Sequence, residues 1–132
     1  MKLLPNKNLL KSYVTNKKFG PYYFPVRFQN KILKQYCEEK NKIFSLSTGE
    51  ITFGDNFIQL RSLIKNLKKG EGLVFISLYV LPKEKDFRSK ILNSLAIKKI
   101  ECHFIFENII LKSNNDLKKI NSFFKLRDFT NN

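Results

Sequence analysis

Seven polar residues of this sequence could do chemistry at a binding or active site. Two are carboxylates, Glu50 and Glu107, which could act as general acid and base or anchor sugar hydroxyls. The other five carry hydroxyl or amide groups suited to a polar ligand: Gln29, Asn30, Ser47, Ser77 and Tyr79. A plainer alternative stays open for each. The acids could be solvated or cap a turn, and the others could be exposed or bond the nearby backbone.

The sequence contains few other signs of catalytic or metal-binding chemistry. Neither the glycine-rich nucleotide-binding motifs nor the G-x-S-x-G of hydrolases occurs. The single histidine, His103, stands in mid-strand between Cys102 and Phe104, which favours packing over catalysis. Cys37 and Cys102 match no metal-ligand spacing and are predicted to be free thiols in a reducing cytoplasm. The sequence therefore predicts no metal site and names no cofactor.

The composition bounds what the chain can be. Its 132 residues, 42% apolar with 13 Phe, suffice for one domain over residues 1–132, with 1–10 and 128–132 as loose ends. No apolar run reaches the roughly 18 residues of a membrane span, and no export signal is recognised, so a cytoplasmic protein is expected. The net charge of +14 is interpreted first as the lysine-rich surface that an AT-rich genome encodes. The alternative is an anionic partner such as nucleic acid.

Strand-like and helical segments alternate four times along the chain. The strands are predicted over residues 11–16, 41–47, 73–80 and 101–107, and an amphipathic helix follows each. This alternation is typical of an α/β domain with a mostly parallel sheet. The predicted architecture is a flavodoxin-like or resolvase-like three-layer sandwich with a four-stranded sheet in the order 2-1-3-4.

This architecture would bring the polar residues together. The apolar run Leu73–Val80 fits a central strand covered on both faces, and Pro82 ends its pairing because proline lacks an N–H. Parallel strands open their carboxyl ends at one edge, where ligands bind. We expect one crevice there, faced by Gln29, Ser47, Glu50, Ser77 and Glu107. The aromatic loop Phe19–Pro25 would stack on a sugar ring or close over the crevice, unless it only packs locally.

Four sequence blocks form an ordered pattern: YVTNKKFGPYYFPVRFQNKILKQYC, LSTGE, GLVFISLYVLP and CHFIFENIIL. Over about residues 12–127 they resemble a family of small proteins called sporadic carbohydrate cluster proteins. The matching positions are Tyr13, Gln29, Asn30, Tyr36, Cys37, Leu46, Ser47, Glu50, Ser77, Leu78, Leu81, Pro82, His103, Phe104 and Glu107. The chain departs from the family pattern at Ser12, where glycine is usual, and in the first loop, where TNKK replaces Ser-Arg-Pro.

The genes of that family lie in clusters that build surface carbohydrates such as O-antigen. The resemblance implies a protein of surface-carbohydrate biosynthesis that binds a sugar or nucleotide-sugar, without implying a reaction. A fainter likeness to the serine recombinase catalytic domain lacks that family's Tyr-x-Arg-x-Ser, because the positions read Tyr13, Thr15 and Lys17. The alternatives are therefore a catalytically inactive nucleic-acid-binding domain and a non-catalytic assembly factor for cluster enzymes.

Overall fold

The chain folds into one mixed β-sheet with helices packed on both faces. The computed structural model describes residues 8–45, 48–49 and 57–130. In chain order, these residues form β1 (Leu9–Val14), α1 (Val26–Glu39), β2 (Ile43–Phe44), β3 (Thr48–Gly49), α2 (Ile58–Lys65), β4 (Gly72–Phe75), α3 (Lys85–Ile97), β5 (Cys102–Phe104), β6 (Ile109–Leu111) and α4 (Asn114–Thr130). A short 3-10 turn, Leu78–Val80, follows β4.

The sheet confirms the predicted α/β class with mostly parallel strands. Its strand order is β2-β1-β4-β5-β6, and β3 also pairs with β1. All pairings are parallel except that of β5 with β6, which is antiparallel. The predicted four-stranded sheet in the order 2-1-3-4 is corrected to six strands, because β3 and β6 lie in segments that were not predicted as separate strands.

The third and fourth predicted strands are shorter than expected. The strand expected over residues 73–80 is β4, which ends at Phe75. The chain then turns at Ser77, whose side-chain oxygen accepts a hydrogen bond from the Tyr79 N–H. The strand expected over residues 101–107 is β5, which ends at Phe104 before a turn that reverses the chain into β6. Asn108 completes that turn with φ +55°, a conformation that asparagine tolerates well.

Alternation along the strands divides the core between the two faces. On one face, Leu10, Val14 and Val74 pack with Leu33 and Cys37 of α1. A larger cluster on the other face joins strand residues to α2, α3 and α4, among them Tyr13, Phe75, Phe104, Leu60, Leu92 and Phe124. Three helices therefore cover one face, and α1 covers the other. The parallel strands β1, β4 and β5 end together at one carboxyl edge.

Candidate functional site

Ser77 and Glu107 meet at the carboxyl edge of the sheet. The fully buried Ser77 donates its hydroxyl hydrogen to Glu107 Oε2 at 2.8 Å. Glu107 Oε1 accepts the Leu78 N–H, also at 2.8 Å. Both carboxylate oxygens thus hold the first turn after β4, because one accepts the Ser77 hydroxyl and the other accepts a buried N–H at the start of that turn. The predicted proximity of these two side chains is present, and the contacts seen are internal ones.

Gln29 lies at the same edge and is also engaged internally. Its side chain is fully buried. Its amide nitrogen donates to the carbonyls of Thr15 at 2.6 Å and Phe24 at 2.7 Å, and its oxygen accepts the Thr15 N–H at 3.2 Å. One side chain therefore satisfies three backbone groups near the two ends of the segment that joins β1 to α1. This arrangement orders the loop and anchors it to α1.

The other predicted site residues differ in what surrounds them. The Oδ1 atom of Asn30 is buried and has no hydrogen-bond partner in the part of the chain that is described. Tyr79 lies edge-on to Phe124, with 5.6 Å between ring centroids, and its ring lies against Gly20. Ser47 and Glu50 lie outside the described residues, so their roles stay predictions.

An aromatic cluster occupies the surface beside these residues. It consists of Phe19, Tyr22 and Phe24 from the loop after β1, and Phe106 from the turn after β5. Ring centroids of Tyr22 and Phe106 are 5.5 Å apart, and those of Phe24 and Phe106 are 5.7 Å apart, both in edge-to-face geometry. Phe19 is buried, whereas Tyr22 and Phe106 are each 39% exposed. The cluster therefore presents ordered ring surface to solvent at the carboxyl edge.

A cleft of about 630 Å³ adjoins the aromatic cluster along α1. Its lining residues are Phe24, Pro25, Phe28, Lys31, Ile32 and Gln35. Phe24 belongs to both the cleft and the cluster. The lining combines aromatic rings with one cation and one amide, which is a mixture typical of small-molecule sites.

Sequence reasoning missed a buried polar network around His103. The ring is 2% exposed, on the face of the sheet that α1 covers. His103 Nε2 lies 2.6 Å from Glu101 Oε1, and Nδ1 lies 2.5 Å from the Tyr36 hydroxyl. A carboxylate only accepts, so Nε2 carries the hydrogen, and neutral Nδ1 accepts from Tyr36. Lys42 Nζ lies 3.5 Å from the same Glu101 oxygen.

The surroundings set the charge states of this network. Burial lowers the pKa of His103 more than the hydrogen bond with Glu101 raises it. Burial, with Cys37 and Glu101 nearby, raises the pKa of Tyr36. Burial also works to raise the pKa of Glu101, but the hydrogen bond from His103 and the charges of Lys42 and Lys112 bring it below its usual value. A neutral phenol, a neutral imidazole and a carboxylate are therefore favoured, and the network joins α1 to β5.

We expect the free energy of unfolding to fall as the pH drops below about 6.5, the ordinary pKa of histidine. Unfolded His103 takes up a proton there that the folded protein resists, so stability is lost as the pH decreases. His103 is the only histidine, and urea unfolding between about pH 5.5 and 7.5 therefore reports mainly on it. The non-titrating variant His103→Gln should flatten this dependence. An unchanged pH slope in the variant would contradict the assignment.

The described residues offer no cluster of three or more histidine, cysteine or acidic side chains that could hold a metal ion. Both cysteines are buried and free. Burial raises the pKa of Cys37 to about 11, and it raises that of Cys102 further. The two thiols therefore stay protonated at neutral pH and are poor nucleophiles.

Comparisons with known proteins add no relative. No protein-family model matches the chain, and no curated protein matches it. Among the helices that the structure describes, none combines the length and the apolar character needed to cross a membrane.

Proposed function

We propose that this protein binds a sugar or nucleotide-sugar in the cytoplasm, as part of surface-carbohydrate biosynthesis. The observation that carries the proposal is the aromatic cluster at the carboxyl edge, with Tyr22 and Phe106 each 39% exposed. The C–H face of a sugar ring is apolar and weakly electropositive, so it packs well on electron-rich ring faces. Gln29 fixes the loop that presents these rings, which lowers the entropy lost when a ligand binds.

The cleft beside the cluster suits the rest of such a ligand. Its volume of about 630 Å³ lies within the usual range for small-molecule sites. Phe28 is 46% exposed and extends the aromatic surface along α1. Lys31 supplies a positive charge for a diphosphate, and Gln35 supplies an amide for hydroxyl groups.

The polar residues predicted from the sequence have different roles in this proposal. Gln29, Ser77 and Glu107 organise the edge through their internal hydrogen bonds. Glu50 and Glu107 remain the candidates for acid–base chemistry, with Asn30, Ser47 and Tyr79 as candidate ligand contacts. The flavodoxin-like assignment belongs here too, because that fold binds ligands at the carboxyl edge of a parallel sheet.

A binding screen tests the proposal. The purified protein is titrated with uridine, guanosine and thymidine diphosphate sugars, the matching nucleoside diphosphates and the free sugars, using thermal shift and calorimetry. Phe28→Ala should lower the affinity for the tightest ligand by about tenfold, or about 1.4 kcal/mol, because it removes exposed aromatic surface. Lys31→Gln should weaken the nucleotide-sugar but leave binding of the free sugar unchanged, because only the former carries phosphate.

A matched control separates the site from surface changes in general. Ile97→Ala removes an aliphatic side chain that is 76% exposed at the end of α3. This helix lies on the other side of the sheet from α1 and the proposed cleft. It should bind every ligand as the parent does. If no member of the panel binds, or if Phe28→Ala and Ile97→Ala bind equally well, the proposed site is wrong.

A further inference from the structure

The outer surface of α2, α3 and α4 is strongly basic, and we call it the basic face. The sequences of these three helices contain nine lysines and arginines, of which Arg88 is buried, against three aspartates. By contrast, α1 on the other side of the sheet has three cations and two glutamates, a net charge of +1. The three helices together are nearly three times as long as α1, so this face is marked by the arrangement of its cations more than by their number.

The lysines that line the basic face form no ion pairs within the described part of the chain. Two shallow grooves flank α3, with volumes of about 450 and 410 Å³. Between them they are lined by six lysines: Lys65, Lys85, Lys90, Lys98, Lys118 and Lys125. Among the described residues, none of these six lysines takes part in an ion pair. Their charge is therefore available to an anionic partner.

Two of the three acids on these helices lie in a first helical turn. Asp86 lies in the first turn of α3. Asp116 lies in the first turn of α4, where its Oδ2 accepts the N–H groups of Lys112 and Ser113. Both carboxylates complement the positive end of a helix dipole. Neither carboxylate forms an ion pair with the six lysines that line the grooves, among the described residues.

Large aliphatic side chains protrude among these cations. Ile97 is 76% exposed and precedes Lys98, at the end of α3. Leu126 is 62% exposed on α4, and Ile58 is 46% exposed at the start of α2. Each lies on a helix that covers the same face of the sheet, so all three point away from it. Exposure of aliphatic side chains to water does not stabilise a protein. At the boundary between lipid headgroups and acyl chains, the same side chains can be buried.

We propose that the basic face binds the surface of an anionic lipid bilayer, with its lysines at the headgroups and Ile97 and Leu126 inserted at the boundary with the acyl chains. Three helices side by side form a broad layer that a flat bilayer can contact. A nucleic acid would account for the lysines through its phosphates, but it offers no apolar layer for the protruding aliphatic side chains. This inference does not depend on the proposed sugar site.

Vesicle binding tests the inference. The full chain is incubated with vesicles of phosphatidylcholine alone, or with equal parts of phosphatidylglycerol, and the bound fraction is measured by sedimentation. Binding is expected only to the anionic vesicles. It should weaken between about 0.1 and 1 M salt, because the Debye length falls from about 10 to 3 Å. Replacing Lys90 and Lys125 by glutamine should weaken it by roughly fivefold per lysine.

Two further variants separate the explanations. Lys34→Gln with Lys40→Gln removes the same charge from the exposed α1 side and should leave vesicle binding nearly intact. Replacing Ile97 and Leu126 by serine should weaken vesicle binding about tenfold at unchanged net charge, because buried apolar groups contribute to interfacial binding. Equal losses from the two lysine pairs would overturn the inference. So would tighter binding to duplex DNA than to anionic vesicles, or full vesicle binding by the serine variant.

Discussion

Replacing Gln29 by leucine is expected to lower the free energy of unfolding by about 3 kcal/mol or more, as leaving several buried backbone groups without partners should. Gln29 is fully buried and bonds both backbone groups of Thr15 and the carbonyl of Phe24. Leucine fills a similar volume but makes none of these hydrogen bonds. Each stranded buried group costs about 1–3 kcal/mol, and three are affected. Urea unfolding at equilibrium, followed by circular dichroism, measures the loss.

Two companion variants show whether the hydrogen bonds are the cause. Gln29→Glu keeps the side-chain length but turns a carboxylate toward two carbonyl oxygens, so it should be at least as unstable. Gln35→Leu changes an exposed glutamine on the same helix and should alter stability by less than about 0.5 kcal/mol. If Gln29→Leu unfolds like the parent protein, Gln29 does not hold the loop, and a direct role in ligand binding becomes the better explanation.

The position of Gln29 followed from the sequence, but its contacts did not. Its place at the start of α1, after the loop that leaves β1, indicated the carboxyl edge of a parallel sheet. Its partners are backbone atoms 14 and 5 residues away, at the ends of an irregular loop. No periodicity reports which way such a loop turns its carbonyls. A polar residue at a sheet edge can therefore serve a ligand or the fold, and only the structure shows which contacts it makes.

The sequence around His103 contains a spacing from which one of its contacts could have been predicted. The sequence favoured a packed histidine over a catalytic one, and the ring is 2% exposed. Glu101 stands two residues before it, and residues two apart on a strand share a face. That spacing could have predicted the 2.6 Å contact between the two side chains. Tyr36 could not be predicted in the same way, because its position depends on how α1 crosses the sheet.

The last strand, β6, was missed because the chain reverses within a short segment. A continuous strand was expected through Glu107, yet β5 ends at Phe104 and β6 begins at Ile109. The turn signal is Asn108, which has φ +55° between two apolar runs. Alternation of strands and helices was enough to predict the parallel part of the sheet. It carries no information on a three-residue antiparallel strand joined by a tight turn.

A second large effect is expected at Gly72, where alanine should destabilise the protein by about 3 kcal/mol, near the upper end of usual overpacking costs. A Cβ atom there would lie 2.6 Å from the Glu101 carbonyl oxygen and 2.8 Å from Leu10 Cδ2. The leucine methyl can rotate away, but the carbonyl belongs to the backbone and accepts the Leu73 N–H at 2.9 Å. Relief therefore requires β4 to move from the chain entering β5, and thermal or urea unfolding measures the cost.

Gly49→Ala is the matched control for this prediction. Its Cβ would approach a side-chain methyl of Val14 at 3.2 Å, and that methyl can shift by a few tenths of an ångström. The variant should change stability by less than about 1 kcal/mol, since alanine also restricts the unfolded chain. The Gly72 variant has a further consequence, because moving the Glu101 backbone also displaces the carboxylate that binds His103. We therefore expect Gly72→Ala to increase the loss of stability below about pH 6.5 as well, because the contact with Glu101 raises the pKa of His103 and its loss lets that pKa fall further. Parent-like stability in Gly72→Ala would show that β4 and the start of β5 are not packed as closely as these distances require.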